Sequence, residues 1–263
     1  GGDGAYCFID QTNGNLFVTS YIYNNFRVST NGGSFFTYLP NDNTGSFINP
    51  TDYDDNLNIL YSTRTNSTIN RVTGITGSPS VGSFSVTGMN SKASHLRVSP
   101  YTTSSTTLFV GTEAGDLYRI TSANTSPSTT SIGGSLPSGT ISCVEIGASE
   151  NELLVTFSSY GGKEVYYSSN GGTAWSDKSG NLPDMPIRWA LFNPKNRKEV
   201  IVATDDNKIF EHINSFGGNV VMTASSHESG TERCAEVLGK IEGKFDVFLK
   251  TTKEVSLLYL TAF

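Results

Sequence analysis

The sequence predicts an all-β fold: a β-propeller of four-stranded blades, with about five repeat units in an incomplete ring and a divergent C-terminal segment. Three observations predict it. The first is composition: 16% of the 263 residues are charged and 27 are glycine, a profile made by many short strands joined by Gly- and Asn-rich turns. The second is a landmark that recurs at Phe8-Ile9-Asp10, Ile48-Asn49-Pro50, Val98-Ser99-Pro100, Ile146-Gly147-Ala148-Ser149 and Phe192-Asn193-Pro194. Its spacing of roughly 40–50 residues is the period of propeller blades. The third is a pair of near-identical turns, Ser29-Thr30-Asn31-Gly32-Gly33 and Ser168-Ser169-Asn170-Gly171-Gly172, each followed by an aromatic residue, Phe36 or Trp175.

After each landmark a polar turn leads into a short apolar run. These runs are Leu16–Thr19, Ile59–Ser62, Leu108–Thr112, Leu153–Thr156 and Val200–Thr204. About ten residues later comes a second run: Phe26–Ser29, Ile69–Thr73, Leu117–Thr121, Val165–Ser168 and Lys208–Glu211. Unbroken apolar runs suit inner strands buried on both faces, and alternating ones suit outer strands. Thr73–Val86 and Thr121–Ser135 read as long surface connections. From about Ser225 the composition shifts to Glu, Lys, Val and Leu. Thr231–Ile241 has helical spacing, and Phe245–Leu249 and Val255–Leu260 look like strands. The expected division is therefore residues 1–224 as blades and 225–263 as an α+β tail. That tail is read as a closing element, an appended module, or a stretch whose reading frame is not that of the repeats.

The net charge of −6 and pI of about 5.1 come without a basic stripe, so a nucleic-acid partner is not expected. No run of about 18 apolar residues predicts a membrane span. Cys7, Cys143 and Cys234 are widely spaced and form neither a disulfide framework nor a zinc motif. The acidic, hydroxyl-rich, lysine-poor composition suits a secreted or cell-surface location. The Gly1-Gly2-Asp3-Gly4 opening reads as part of a longer polypeptide.

Ser29, Asn31, Gly33 and Phe36, and again Ser168, Asn170, Gly172 and Trp175, resemble the Asp-box (BNR-type) hairpin of sialidase-type and sortilin-type propellers, with Asn in place of the usual Asp. The residue types fit a structural role: glycine accepts positive φ, the Asn side chain bonds the turn backbone, and the aromatic buries between sheets. Phe109-Val110-Gly111-Thr112-Glu113, Gly147–Leu153 and Asn181–Pro194 extend the likeness. Over about residues 1–206 the chain resembles the secreted sortilin-like propeller proteins of Bacteroidetes exported by type IX secretion. The resemblance implies a β-propeller with an extracellular address; beyond Asp206 it ends.

Arg27, Arg71 and Arg119 recur at one place in successive repeats, which points to a structural position rather than the arginine cluster of a sialidase. A xyloglucanase-like glycosidase needs two carboxylates opposed across a cleft, for which Asp54, Asp55, Asp116, Glu145 and Asp184 are the candidates. Asp52, Asp54 and Asn56 alternate as calcium-loop oxygens do, but without the turn glycine, so calcium is an optional expectation and no other cofactor is called for. His95, His212 and His227 have no triad context. Tyr160, Trp175, Trp189 and Arg188 are candidates for a sugar-binding rim, against the ordinary fate of aromatics packed between blades. These readings give a non-catalytic binding or adhesion scaffold for an extracellular glycan or protein, with a glycoside hydrolase (xyloglucanase- or sialidase-like) as the alternative.

Overall fold

The computed structural model describes residues 5–40, 42–180, 182, 184, 186–192, 201–204, 207–215, 219–226, 236 and 240. Four antiparallel four-stranded sheets follow one another along the chain. The first blade is β1 (Cys7–Ile9), β2 (Phe17–Ser20), β3 (Phe26–Ser29) and β4 (Thr37–Tyr38), and the second is β5 (Thr51–Asp54), β6 (Ile59–Thr63), β7 (Thr68–Thr73) and β8 (Ser80–Ser85). The third blade is β9 (Ala93–Val98), β10 (Leu108–Thr112), β11 (Leu117–Thr121) and β12 (Ser128–Ser131), and the fourth is β13 (Ile141–Ile146), β14 (Leu153–Phe157), β15 (Val165–Ser168) and β16 (Ser176–Asp177).

In blades two to four burial falls from the second strand outward. The second strands β6, β10 and β14 are buried at all five positions, whereas β8 and β12 are mostly exposed, and β4 and β16 wholly so. At the inner edge β9 touches both β5 and β13. Alternation along a strand sends successive side chains to opposite faces, and here that sorts them to opposite neighbours. In β10, Leu108 and Val110 join the core with the second blade while Phe109 joins the core with the fourth. Leu60 and Leu154 are sorted in the same way against their strand neighbours.

Both Asn-Gly-Gly turns have one hydrogen-bond pattern. Ser29 Oγ donates to Asn31 Oδ1 at 2.8 Å and accepts from Gly33 N at 3.0 Å, while Phe35 N donates to Asn31 Oδ1 at 3.0 Å. In the later copy the Ser168–Asn170, Gly172–Ser168 and Ala174–Asn170 bonds are each 2.9 Å. Gly33 and Gly172 sit at φ +84° and +88°, the left-handed region where glycine carries no Cβ penalty. Trp175 packs on the core between blades three and four and donates Nε1–H to Ile132 O at 2.8 Å; Phe36 is half-buried.

Structurally equivalent positions step more regularly than the landmarks. Phe8, Asp52, Arg97 and Glu145 pair with Val18, Tyr61, Phe109 and Leu154 on the second strands, each of which packs toward the following blade. Pro50 therefore stands ahead of β5, whereas Asp10 and Ser99 follow β1 and β9. Asn49 explains the irregular spacing. It is buried as a loop tie, accepting from Ser46 N and donating to Asn24 Oδ1 and Thr63 O.

Of the repeated arginines, Arg71 and Arg119 occupy equivalent positions and reach forward, Arg71 to Ala123 O at 3.0 Å and Arg119 to Glu150. Arg27 instead stays in its own blade, over the Tyr38 ring. The three do not converge.

Residues 187–192 repeat the packing step from one blade to the next, without forming a strand. Ser94 Oγ in β9 donates to Ile141 O in β13, and Ser142 Oγ in β13 donates likewise to Ile187 O. Ile187 and Ala190 then complete an apolar cluster with Leu154 and Val165, so residues 187–192 lie on blade four as an inner strand lies on its predecessor. Asn193 and Pro194 of the fifth landmark are outside the described residues.

The blade pattern ends there. β17 (Ile201–Thr204) pairs in parallel with β18 (Asn219–Met222), and the helix α1 (Asn207–Ser215) connects them. The expected strand at Lys208–Glu211 is thus corrected to helix. Ile209, Phe210 and Ile213 follow helical spacing over a longer window, and a parallel pair needs a crossover that a two-residue hairpin cannot supply. Within the predicted helix Thr231–Ile241, Glu236 and Lys240 are helical; the rest of it, and the strands expected at 245–249 and 255–260, lie outside the described residues. No helix among the described residues is long and apolar enough to cross a membrane.

Candidate functional site

The five carboxylate candidates are dispersed. Asp54 is buried in the β5–β6 turn, accepting from Thr106 Oγ1 at 2.5 Å and Leu57 N at 3.1 Å. Burial raises its carboxyl above the usual range although both bonds oppose the shift. Asp55 is partly exposed in the same turn. Asp116 borders an open cleft of about 270 Å³ whose other lining residues include Gly115, Gly133, Leu136 and Pro137 but no second carboxylate. Exposed Asp184 accepts from Gly161 N at 2.6 Å. No two of these face each other across that cleft.

The calcium-loop oxygens also serve separate partners. Asp52 Oδ2 accepts from Val98 N at 2.7 Å, Asp54 caps its turn, and Asn56 donates to Thr102 O at 3.0 Å. Among the described residues no group of three or more His, Cys, Asp or Glu side chains could hold a metal ion. The rim candidates part company as well. Tyr160 is 74% exposed and Arg188 is exposed, while Trp175 is half-buried in a blade core. Trp189 meets His95 edge-on at 4.9 Å.

At the axis the inner strands do gather charge. Asp52, Arg97 and Glu145 stand at one repeat position on β5, β9 and β13, and each of the first two reaches the next strand. Asp52 bonds the Val98 amide, and Arg97 Nη2 lies 3.3 and 3.2 Å from the two oxygens of Glu145. Burial, opposed by Arg97 and reinforced by Asp52, pushes the Glu145 carboxyl up to about 7. Burial works against the Arg97 charge too, but Glu145 and Asp52 outweigh it and keep the guanidinium protonated. Arg97 was absent from the sequence candidates. Arg97 lies twelve residues before its partner Phe109, whereas Asp52 and Glu145 lie nine before Tyr61 and Leu154, so the equivalence shows only in the strand pairing.

The second polar gathering is C-terminal. The β17–α1–β18 unit is the parallel strand–helix–strand arrangement in which ligands meet the carboxyl ends of strands. Asp205 and Asp206 follow β17 directly in the chain. Beyond β18, Thr223 is buried, Ala224 N donates to Glu236 Oε2 at 2.8 Å, and Lys240 Nζ donates to Met222 O at 2.8 Å while pairing with Glu236 at 2.5 Å. Glu236 and Lys240 therefore order the carboxyl end of β18.

A cytidylyltransferase family model matches residues 187–261. Curated relatives agree. The chain is 53% identical over 49 residues to 3-deoxy-manno-octulosonate cytidylyltransferase of Bacteroides thetaiotaomicron, covering 19% of this chain and 20% of that protein. It is 60% identical over 43 residues to the Idiomarina loihiensis enzyme of the same name (16% and 17%). With the mitochondrial enzyme of Arabidopsis thaliana it shares 44% identity over 59 residues (22% and 20%). The chain spans about a fifth of the length of these relatives.

Solved structures similar to the chain are propellers. The WD40 β-propeller domain of Doa1 matches at TM-score 0.50 and 13% identity, over 74% of this chain and 60% of that one. An ancestral GH74 enzyme matches at TM-score 0.50 and 17% identity, over 77% and 26%. At these identities the likeness shows the fold alone. The sequence-based expectation of a non-catalytic binding scaffold is overturned, because the family model and the curated relatives name an enzyme. They name a cytidylyltransferase, which conflicts with the glycoside hydrolase alternative as well. Composition and repeats point to the propeller, whereas the family match lies over residues 187–261 and overlaps only the last repeat.

Proposed function

We propose that the C-terminal part of the chain, from about Ile201, belongs to the catalytic domain of a cytidylyltransferase acting on 3-deoxy-manno-octulosonate, carried on a chain that also holds propeller blades. The observation that carries this reading is the parallel β17–α1–β18 unit, which falls inside the matched segment and departs from the antiparallel plan of every blade. In this reaction an oxygen of the sugar acid attacks the α-phosphorus of CTP, a P–O bond forms, and pyrophosphate leaves. The unit's share is positional. Two parallel strands end together, and the polar residues that order the carboxyl end of β18 stand where a ligand meets such a sheet. The remaining four-fifths of such a domain supplies the rest of the site.

The test is a graft. The matched 49 residues of the Bacteroides thetaiotaomicron enzyme are replaced by this chain's counterpart, and pyrophosphate release from CTP is followed with 3-deoxy-manno-octulosonate as acceptor. The expected outcome is a kcat/KM within about tenfold of the parent, a change of about 1.4 kcal/mol in transition-state stabilisation. A chimera that folds but loses about a thousandfold or more contradicts the reading.

The sortilin-like kinship and extracellular address remain a separate proposal for the propeller part, supported by its two matching Ser-x-Asn-x-Gly hairpins.

A further inference from the structure

We propose that the axis of the blades holds a proton-operated switch, in which Glu145 binds and releases one proton and thereby sets how tightly the third and fourth blades pack. The geometry is one guanidinium on β9 paired with the Glu145 carboxylate of the next inner strand, with the Asp52 charge of the preceding strand acting on both through space. Arg97 of β9 contacts both oxygens of Glu145 on β13, at 3.3 and 3.2 Å. Asp52 of β5 is tied to the neighbouring Val98 amide at 2.7 Å. With Glu145 protonated, Asp52 and Arg97 balance. When the proton leaves, a net negative charge is confined between strands that pack directly on one another.

Among the described residues, few titratable groups act on Glu145. Arg97 comes from β9, Asp52 from β5, and Cys143 from its own strand. Cys143 is buried, its thiol pushed up chiefly by burial and then by Glu145, so it stays neutral. Tyr6, ahead of β1, senses both Asp52 and Cys143; burial holds its phenol well above the usual range. His95, also on β9, packs on Trp189. Beyond the Arg97 ion pair, Glu145 Oε2 has no hydrogen-bond partner among the described residues, and neither has Arg97 Nε.

Burial raises the Glu145 carboxyl to about 7 from an ordinary value of 4.5. A folded-state value raised above the unfolded one means that the native protein holds the extra proton between those limits. Stability is then fully present below the unfolded value and lost as pH rises toward 7. Two other buried carboxyls, Asp54 and Glu164, are also pushed up by burial, so a variant must isolate Glu145. Burial pushes Asp10, Asp42 and Asp177 up as well, but their hydrogen bonds outweigh it and hold them low. Their contribution is lost only in acid, as pH falls below the usual carboxylate range.

The experiment measures the urea-unfolding equilibrium of the full chain from pH 5 to pH 8, for the parent, Glu145→Gln and His95→Gln. The parent unfolding constant is expected to rise by about one to two orders of magnitude across that range. In Glu145→Gln most of that rise disappears, and in His95→Gln it remains. A slope unchanged in Glu145→Gln, or lost in His95→Gln, overturns the proposal. A ¹³C carboxyl NMR titration of the parent gives the answer without relying on any variant's folding. A Glu145 midpoint near 7 supports the switch, and one near 4.5 overturns it.

Discussion

Gly172→Val lowers the unfolding free energy by about 3 kcal/mol or more, the sum of two independent penalties. The first is conformational. Gly172 sits at φ +88°, where a Cβ crowds the following carbonyl at a cost of about 1–2 kcal/mol. The second is steric, since a Cβ built there lies 2.8 Å from Ile132 Cβ and 2.9 Å from Ile132 O. Overpacking of that kind costs about 1–3 kcal/mol, and the backbone oxygen cannot step aside as a flexible side chain could. That same oxygen accepts the Trp175 indole bond, so the clash falls on the anchor joining hairpin and core. Gly14→Ala is the control, because its Cβ meets nothing within 4 Å, and its change stays within about 0.5 kcal/mol. Urea titrations of the two variants check the pair, and equal midpoints would contradict the account of the hairpin.

Phe157→Ala has a comparable effect, a loss of about 3–5 kcal/mol. The ring is 1% exposed, belongs to the core between blades three and four, and stands edge-on to Tyr166 at 5.8 Å. Truncation removes the transfer energy of the ring and leaves a cavity that strands on either side cannot close. Phe35→Ala, at a ring 66% exposed, changes stability by no more than about 0.5 kcal/mol. A lower urea midpoint with an unchanged m-value marks a loss of stability alone. A small effect at Phe157 would mean that the inter-blade core is not where stability resides.

Much of the blade architecture is legible in the sequence because it is written locally. Ile59–Ser62, Leu108–Thr112 and Leu153–Thr156 are unbroken apolar runs, and the structure buries them on both faces as second strands. Ser168, Asn170 and Gly172 specify their turn within five residues. What escapes the sequence is set by distant partners. The stretches 73–86 and 121–135, expected as surface connections, contain the fourth strands β8 and β12, whose polar residues are ordered by pairing to β7 and β11. Val200–Thr204 reads as one more inner strand because a buried parallel strand and a buried antiparallel one have the same apolar pattern; only pairing with Asn219–Met222 separates them. Pro50 resembles Asp10 and Pro100 in context but precedes its strand, since Asn49 is recruited as a buried tie. The charges at the axis come from three strands, and Arg97 is an unremarkable residue until Glu145 is placed beside it. Of the site candidates, Asp54 and Trp175 had the residue types that chemistry would use, yet their hydrogen bonds are spent on a turn and a core.

Residues 187–192 still pack as the blades do, and residues 201–222 form a parallel strand–helix–strand unit. Cysteine cross-linking tests it most directly, in full-length protein carrying Cys7→Ser, Cys143→Ala and Cys234→Ser. Val202 and Val220 are register partners across β17 and β18, and neighbouring strands lie about 4.8 Å apart, within the Cα separation a disulfide spans. Mild oxidation of Val202→Cys/Val220→Cys is predicted to close the bridge rapidly, while Val202→Cys/Phe210→Cys, the pair that a blade hairpin would bring together, stays reduced. The reverse outcome, with the second pair bridging and the first reduced, would restore the fifth blade and remove the structural basis for placing a cytidylyltransferase segment here.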